Sequence, residues 1–233
     1  MKRLCTICAR GGSKGVAGKN LRLLAGLPLL AHSIRQARES RLFDLIAVSS
    51  DSEDILRTAR TYDADEVVPR PVEMATDTAP KLPAIRHCVK AVEARRGLRF
   101  DTLVDLDATA PLRSVEDIRN AVAMLERSTA ANLLTGAPAR RSPYFNLVEL
   151  DAQGRVVLSK RPAGNVARRQ DAPTCYDLNA SIYVWRRSAL LDGPDSAIGA
   201  DTILFQMPEE RSIDIDSELD FRIVEMLMAG AVA

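Results

Sequence analysis

Residues 9–21, near the start of the chain, have the composition of an anion-binding loop. They read ARGGSKGVAGKNL, with four glycines, three basic residues and no acidic residue. Glycine lets a backbone bend until several N–H groups point into one concavity, and basic side chains complete a site for an anion. A triphosphate is an anion that needs both kinds of group, whereas the alternative is an ordinary basic surface loop. Residues 9–21 are called the opening loop below.

The acidic segment 212–221 carries the second chemical signal. It reads SIDIDSELDF, and its Asp214 and Asp216 are two positions apart, so on an extended backbone both carboxylates face the same way. Hard oxygen ligands at this spacing suit Mg²⁺ that is shared with phosphate oxygens. A solvated acidic turn that caps a helix at Ser217 is the alternative, but a polycationic loop in the same chain favours a metal site. We therefore predict Mg²⁺ as the cofactor, held by Asp214 and Asp216.

Two common nucleotide-binding motifs do not describe the opening loop. The motif GxxxxGK[ST] needs Ser or Thr after Gly-Lys, whereas Gly18 and Lys19 are followed by Asn20. The motif GxGxxG is also absent, because Gly11 and Gly12 are adjacent and no glycine follows at the required spacing. The loop therefore belongs to neither class.

The elements that must position these residues alternate between short apolar strands and amphipathic helices. This alternation predicts an α/β fold, a doubly wound, mostly parallel sheet with helices on both faces, in a single domain over residues 1–233. The opening loop leaves the first strand, and ligands of open α/β sheets bind at the carboxyl ends of strands. The predicted strands cover 4–8, 45–48, 66–68, 102–106, 132–136, 181–185 and 203–207, and the predicted helices cover 28–39, about 51–62, 83–94, 114–126 and 217–228.

The alternation breaks between about residues 139 and 173, a segment called the excursion below. Segments 145–150 and 155–158 are apolar and β-prone, and the turn-forming residues 151–154 between them predict a hairpin. A hairpin that projects from an α/β core cannot bury both of its faces alone. We expect the excursion to be an insertion that docks on a second subunit, and a solvated surface excursion is the alternative.

Composition excludes several classes of function. The chain has 233 residues, of which 46% are hydrophobic, and its 32 basic and 31 acidic residues leave a net charge of +1. Near-neutrality gives no support to nucleic-acid binding, for which a basic excess is expected. No apolar run approaches the roughly 18 residues of a membrane span, and Met1-Lys2-Arg3 leads directly into a predicted strand and not into a signal peptide. We expect a cytoplasmic protein without nucleic-acid or membrane partners.

The opening loop closely resembles the first motif of the CMP-sugar synthetases, the cytidylyltransferases that activate acidic α-keto sugars such as sialic acid. Four further segments are similar to motifs of that family, and the five together span nearly the whole chain. The four are RPVEMATDTA (70–79), DLDATAPLR (105–113), YDLNASIYVW (176–185) and SIDIDSELDF (212–221). The resemblance implies a Rossmann-like nucleotidyltransferase core and a homodimer assembled through the excursion.

The resemblance also implies which residues contact CTP and the metal. Arg10 and Lys14 would hold the triphosphate, and Lys19 would lie near the α-phosphate, where a positioned lysine stabilises the charge of the transition state. The expected catalytic residues are Lys19, Arg10, Asp214 and Asp216. Further contacts to CTP are expected from Gly12, Ser13, Asn20 and Arg70.

Three residues are implied to contact the sugar. Asp107 stands where sialate synthetases have a glutamine that touches the sugar, and a carboxylate there would accept hydrogen bonds from an amide or hydroxyl but repel an anion. Arg169 falls at the spacing of an arginine that pairs with the substrate carboxylate, which suits its two-pronged geometry. Asn179 matches the family's NGAIY strand. The run ARRSPYFN at 139–146 looks more like the synthetases for legionaminic acid, the di-N-acyl relative of sialic acid.

The implied reaction is attack by the anomeric C2 hydroxyl of an acidic nonulose on the α-phosphate of CTP, with release of pyrophosphate. The motifs identify no general base. Pseudaminate and KDO are alternative acceptor sugars. A glycosyltransferase that binds a metal at Asp105 and Asp107, and a nucleotide-sensing protein without turnover, are alternatives from other classes, because a fold alone does not fix function.

Overall fold

A seven-stranded sheet forms the centre of the structure, a computed structural model that describes residues 1–12, 15–161 and 168–230. The strands are β1 (Arg3–Cys8), β2 (Leu23–Leu24), β3 (Leu27–Pro28), β4 (Leu45–Ser50), β5 (Glu66–Pro69), β6 (Thr102–Leu106), β7 (Asn132–Pro138), β8 (Val148–Leu150), β9 (Val156–Leu158), β10 (Tyr176–Arg186) and β11 (Thr202–Gln206). The order in the sheet is β11-β7-β10-β6-β1-β4-β5, and only β10 runs antiparallel to its neighbours. The predicted mostly parallel α/β sheet is confirmed.

Helices cover both faces of this sheet. They are α1 (Leu29–Ser40), α2 (Glu53–Thr61), α3 (Lys81–Arg96), α4 (Val115–Arg127), α5 (Arg187–Leu191) and α6 (Glu218–Gly230). On β1, Cys5 and Ile7 pack in one core with α1, α2 and α4, whereas Leu4 packs in the other with α3 and α5. This two-residue period explains why the strands are apolar at every position. Within the described ranges, none of the helices combines the length and apolar character that a bilayer crossing requires.

A third apolar cluster joins the two ends of the chain. Val16 of the opening loop is buried with Ile215 of the acidic segment and with Phe221 and Val224 of α6. The guanidinium of Arg22 also lies 3.9 Å from the centre of the Phe221 ring. Burial of this apolar surface fixes the acidic segment against the loop.

Helix α3 begins two residues earlier than the predicted helix 83–94. Pro80 precedes its first turn, and Pro83 lies inside that turn, where the missing N–H has no intrahelical partner to lose. The predicted start at Pro83 is therefore two residues too late, because proline is tolerated throughout the first turn and does not mark the first helical residue. The consequence is functional, since Lys81 is the first residue of α3.

The excursion contains the predicted hairpin, with one boundary corrected. Strands β8 and β9 form a separate two-stranded sheet, and all six of their residues are exposed. Phe145 was predicted to open the first strand, but its N–H donates to the Ser142 carbonyl in a turn before β8. The excursion leaves after β7 and returns in β10, where the Ala139 N–H donates to the Cys175 carbonyl at 2.9 Å.

Candidate active site

A cleft of about 370 Å³ opens at the carboxyl ends of β1, β5 and β6. Four of the five motif segments contribute to its wall, although they are far apart in the chain. The lining residues are Cys8, Ala9, Arg10, Gly15, Lys19, Asn20, Arg70, Met74, Thr76, Asp77, Ala79, Pro80, Lys81, Asp107, Ala108, Thr109, Asp214 and Asp216. The cleft therefore lies where ligands of open α/β sheets bind.

Hydrogen bonds between backbone groups of the opening loop and nearby side chains hold the loop in place. The Gly11 N–H donates to Asp51 Oδ1 at 2.9 Å, and Asn20 Nδ2 donates to the Arg10 carbonyl at 3.0 Å. At Gly15 an added Cβ would lie 1.9 Å from the carbonyl oxygen of Asp216, so only glycine allows this approach of the two segments. Ser13 and Lys14 lie outside the described residues, and their assignment to CTP stays a prediction, as does that of Gly12.

Arg10 connects the opening loop to the second motif segment. Its Nη1 lies 2.7 Å from Asp77 Oδ1, and both side chains are partly exposed. The pair brings residues of the first and second motifs together at the mouth of the cleft. A partly exposed ion pair is worth little in stability, so this arginine can exchange its partner for a phosphate at small cost.

Arg70 and Asn20 are buried beside the cleft with unused hydrogen-bonding atoms. The Arg70 side chain is 6% exposed, and its Nε and Nη2 find no hydrogen-bond partner among the residues that the structure describes. Its nearest carboxylate oxygen, Asp51 Oδ1, is 3.9 Å away. Asn20 Oδ1 is likewise buried and unpaired within the described chain. A buried guanidinium without partners is costly unless a ligand supplies them.

Lys19 meets the acidic segment across the cleft. Its Nζ donates to the Ile215 carbonyl at 2.6 Å and lies 3.3 Å from Asp216 Oδ1. The Ile215 N–H in turn donates to the Thr109 carbonyl at 2.9 Å, which connects this segment to the loop after β6. The cations of the opening loop and the carboxylates of residues 214 and 216 therefore face the same space.

The Asp214 carboxylate is partly buried, and one of its oxygens lacks a compensating partner among the described residues. Its Oδ1 is buried and has no hydrogen-bond partner in the described parts of the chain. Burial, followed by the charge of Asp107, raises the pKa of Asp214 to about 6, although the Thr109 hydroxyl opposes the rise. Asp216 is 78% exposed at its side chain and would supply a second oxygen to such a cation.

These oxygens fit Mg²⁺ only as part of its ligand shell. No group of three or more His, Cys, Asp or Glu suited to a metal occurs within residues 1–12, 15–161 and 168–230. Mg²⁺ prefers six oxygen ligands and is usually held by one or two carboxylates together with water and phosphate. The donor set therefore fits a metal that arrives with a phosphate ligand.

Lys81 is a cleft residue that the sequence did not identify. Its Nζ lies 2.8 Å from Asp105 Oδ2 and 2.6 Å from Asp107 Oδ2. Burial alone would raise the pKa of Asp107, but the charge and hydrogen bond of Lys81 lower it to about 2. Burial also opposes the charge on Lys81, yet Asp105 and Asp107 raise the pKa of Lys81 well above its usual value. Asp107 is therefore an ionised, ion-paired carboxylate in the cleft wall.

Arg113 holds the loop that carries Asp107. The Arg113 side chain is fully buried, and its guanidinium donates to the Asp107 carbonyl at 2.6 Å and to the Ser181 carbonyl at 2.7 Å. It also donates to Gln36 Oε1 and to the Ser33 hydroxyl of α1. This arginine, which the resemblance matched without a role, fixes the loop after β6 between α1 and β10.

Asn179 is not among the residues that line the cleft, and the side chain of Arg169 is not described. Asn179 is 5% exposed, and its amide accepts from the Thr135 hydroxyl at 2.7 Å and donates to the Ser212 hydroxyl at 2.9 Å. These contacts hold the bulge of β10, where Ala180 has a φ of 51°, against β7. The Arg169 side chain lies outside the described part of the structure, although its backbone belongs to a short 3₁₀ turn, Arg169–Asp171. Both sugar assignments stay predictions.

Residues 4–223 match the model of a protein family described as cytidylyltransferase. The chain belongs to the cytidylyltransferase family. The resemblance that its motif segments showed to this family is thereby confirmed, and the match includes both the opening loop and the acidic segment.

Two relatives of this cytidylyltransferase are similar over almost their full lengths. A protein of Campylobacter jejuni named CMP-N,N'-diacetyllegionaminic acid synthase is 49% identical over 226 residues, 97% of this chain and 94% of that protein. A protein of Campylobacter coli named post-translational flagellin modification protein B is also 49% identical, over 225 residues and the same shares of the two chains.

A solved structure shares the fold of this cytidylyltransferase. It is a CMP:2-keto-3-deoxy-manno-octonic acid synthetase complexed with CTP, with a TM-score of 0.70 over 99% of this chain and 100% of that one. The two sequences are 17% identical, so the likeness concerns the fold alone.

Proposed function

We propose that this cytidylyltransferase transfers CMP from CTP to the anomeric C2 hydroxyl of a nine-carbon acidic α-keto sugar and releases pyrophosphate. The observation that carries the proposal is the convergence of Lys19 with Asp214 and Asp216 on one cleft. Legionaminate is the favoured acceptor and N-acetylneuraminate the second, because a relative named for di-N-acetyllegionaminic acid is 49% identical, whereas a relative named N-acylneuraminate cytidylyltransferase is 31% identical.

The nucleotide tail is assigned to the cationic side of the cleft. Arg10 and Arg70, whose Nε and Nη2 make no hydrogen bond to the described residues, bind phosphate oxygens, together with Ser13, Lys14 and the N–H groups around Gly12. Lys19 places its ammonium at the α-phosphate, where negative charge accumulates as the sugar oxygen bonds to phosphorus and the bond to pyrophosphate breaks. Such chemistry depends mainly on positioning and charge neutralisation, which pre-arranged side chains supply.

Mg²⁺ is the proposed cofactor, held by Asp214 and Asp216 and completed by phosphate oxygens. When bound, it would neutralise charge on the phosphates and help to orient them. The unpaired Oδ1 of Asp214 supports this assignment. Asp107, Arg169 and Asn179 remain the proposed contacts to the sugar.

A glycosyltransferase with a metal at Asp105 and Asp107 is disfavoured by the same geometry. The ammonium of Lys81 lies within 2.8 Å of both carboxylates. Asp105 is fully buried and also accepts from the Thr6 hydroxyl at 2.8 Å. A metal ion would have to displace the lysine from both carboxylates.

Pyrophosphate release tests the proposed reaction. The enzyme is incubated with CTP, Mg²⁺ and one of di-N-acetyllegionaminate, N-acetylneuraminate, pseudaminate or KDO, with UTP and ATP as nucleotide controls. We expect pyrophosphate and a CMP-sugar with CTP and a nonulosonate, and the highest kcat/KM with the legionaminate. CTP binding without turnover on every sugar would indicate a nucleotide sensor. Hydrolysis of a UDP-sugar without pyrophosphate release would indicate a glycosyltransferase.

We also propose a homodimer that assembles through the excursion. The exposed fractions of Leu150 and Val156 are 69% and 68%, and among the described residues their strands form a sheet only with each other. A two-stranded hairpin with apolar side chains in water gains stability by docking on a second surface. The cytoplasmic location and the absence of nucleic-acid and membrane partners, expected from the sequence, stay predictions.

A further inference from the structure

Lys81 is fixed on three sides but still faces the cleft. Its ammonium contacts Asp105 and Asp107 and lies 4.7 Å from the centre of the Tyr183 ring. Its side chain remains 31% exposed and lines the cleft beside Asp107, whose side chain is 17% exposed. The two residues therefore offer a ligand a donor and an acceptor that are already ordered.

The hydrogen bonds of this pair leave donors on Lys81 and an acceptor on Asp107 unused. Asp107 Oδ1 accepts from the Thr109 N–H at 3.1 Å and from its hydroxyl at 2.8 Å, whereas Oδ2 accepts from Lys81 alone among the described residues. A carboxylate oxygen has two lone-pair sites, so one remains on Oδ2. An ammonium has three N–H donors, and Lys81 uses one of them on Asp107, whereas its 2.8 Å contact with Asp105 is an ion pair without a hydrogen bond.

The charges of this group give an anionic partner no net attraction. Lys81 and the buried Arg113 contribute two positive charges, and Asp105 and Asp107 contribute two negative charges, so the four are neutral together. A phosphate or a sugar carboxylate would meet the carboxylate of Asp107 without a net gain, whereas a neutral group with a donor next to an acceptor would be bound. An amide has this arrangement, with its N–H beside its carbonyl oxygen.

We propose that the Lys81–Asp107 pair is the specificity-determining element for an acylamino group of the acceptor sugar. Asp107 Oδ2 accepts from the amide N–H, and Lys81 donates to the amide carbonyl oxygen. The hydrogen bond from Arg113 to the Asp107 carbonyl keeps the pair in place before the sugar binds. This inference rests on the proposed function, because it assumes an acylated sugar acceptor.

The test measures KM for the sugar and KM for CTP separately. Asp107→Asn and Lys81→Met are each expected to raise KM for the acylated sugar about 10- to 100-fold, the range for hydrogen bonds to charged groups, with KM for CTP within about twofold. With an analogue that has hydrogen in place of the acylamino group, the variants and the wild type should differ by less than about twofold. The double variant should raise KM for the acylated sugar no more than the single variant with the larger effect, because the pair acts as a unit. Glu93→Gln is the matched control, since it removes an ion pair with Arg187 elsewhere on α3, and both KM values should stay unchanged.

Other outcomes overturn the inference. A rise in KM for CTP with an unchanged KM for the sugar would mean that the pair contacts the cytosine edge. Unchanged values for both substrates, or an equal loss with the acylated sugar and with the analogue that lacks the acylamino group, would mean a structural role. Lys81→Met leaves Asp105 buried without its counter-ion, so Lys81→Arg and Asp107→Asn carry the test if that variant does not fold. A wild-type enzyme without turnover on any nonulosonate overturns the proposed function and the inference together, whereas turnover that the variants retain unchanged overturns the inference alone.

Discussion

Lys19 Nζ and Asp216 Oδ1 lie 3.3 Å apart, although 197 positions separate the two residues in the chain. The contact joins the opening loop to the acidic segment across the cleft. Because Lys19 also donates to the Ile215 carbonyl, its ammonium would stay in place if Asp216 turned toward the proposed metal. The lysine is thus arranged before the nucleotide binds.

Replacement of Lys19 by Met should lower kcat at least about 100-fold, because a positioned charge at the transition state contributes at this level. Steady-state pyrophosphate release measures the effect. Glu218→Gln is the control, since Glu218 pairs with Arg22 between the same two parts of the chain but outside the cleft. A kcat for Lys19→Met within about threefold of the wild type would refute the role of Lys19.

Asp214→Asn should abolish Mg²⁺-dependent activity without lowering the melting temperature. The carboxylate is desolvated and its Oδ1 has no partner within the described residues, so its removal relieves unfavourable burial and breaks no described contact of that oxygen. Activity is measured against Mg²⁺ concentration, and thermal unfolding is followed in EDTA. Asp216→Asn, at an exposed position, should raise the Mg²⁺ requirement less steeply. Full activity of Asp214→Asn at the wild-type Mg²⁺ concentration would exclude the proposed ligand.

Two glycines of the opening loop should respond differently to alanine. Gly15→Ala places a Cβ against the Asp216 carbonyl oxygen, and the backbone shift that follows should cost about 1–3 kcal/mol of unfolding free energy and most of the activity. Gly12→Ala is the stability control, because an added Cβ meets no atom of the described chain within 4 Å. Urea unfolding measures both variants. Equal stability of the two would contradict the close approach at Gly15.

The ion pair between Arg3 and Glu126 should make stability depend on pH. The hydrogen bond from Arg3, against the effect of burial, lowers the pKa of Glu126 below its usual 4.5. The stabilisation is therefore present above pH 4.5 and is lost as the pH falls through the lowered pKa. Glu126→Gln should cost about 1–3 kcal/mol at pH 7, and its difference from the wild type should shrink below about pH 4.

Urea unfolding across pH 3–8 checks this expectation. Asp54→Asn removes the exposed pair with Arg57, in which both side chains are about two-thirds exposed, and should change the unfolding free energy by less than about 0.5 kcal/mol. A pH-independent difference for Glu126→Gln would show that the ion pair is not responsible.

Charges on the hairpin should separate the proposed dimer. Leu150→Lys combined with Val156→Lys places two ammonium groups on strands that we expect to be buried between subunits. Light scattering after size-exclusion chromatography should give a dimer for the wild type and a monomer for the variant. Ile198→Lys, at another exposed apolar position, should remain a dimer. A monomeric wild type at high concentration would refute the proposal.

Periodicity and motif spacing predicted the architecture and most of the cleft. The strands could be predicted because both their odd and their even positions are apolar, which is typical of parallel strands buried on both faces. The convergence of the opening loop and the acidic segment followed from the motifs, and the contact between Lys19 and Asp216 bears it out.

Contacts that depend on three-dimensional register were missed. Lys81 reaches Asp107 across 26 positions only because α3 begins at the edge where β6 ends, and no local pattern encodes that meeting. The Asp51 contact with the Gly11 N–H depends in the same way on β4 lying beside β1. Motif matching also gave no sign that the amide of Asn179, which stays a predicted sugar contact, holds a strand bulge in this chain.

The excursion has a consequence for how such enzymes diversify. It leaves the sheet at the end of β7 and returns at the start of β10, and these two strands are hydrogen-bonded to each other. Its two ends are therefore held together by the sheet itself. These hydrogen bonds fix the register of β7 and β10 next to the excursion, so a change in its length need not disturb the central sheet. The outer surface of the molecule is therefore free to change independently of the phosphate chemistry inside it.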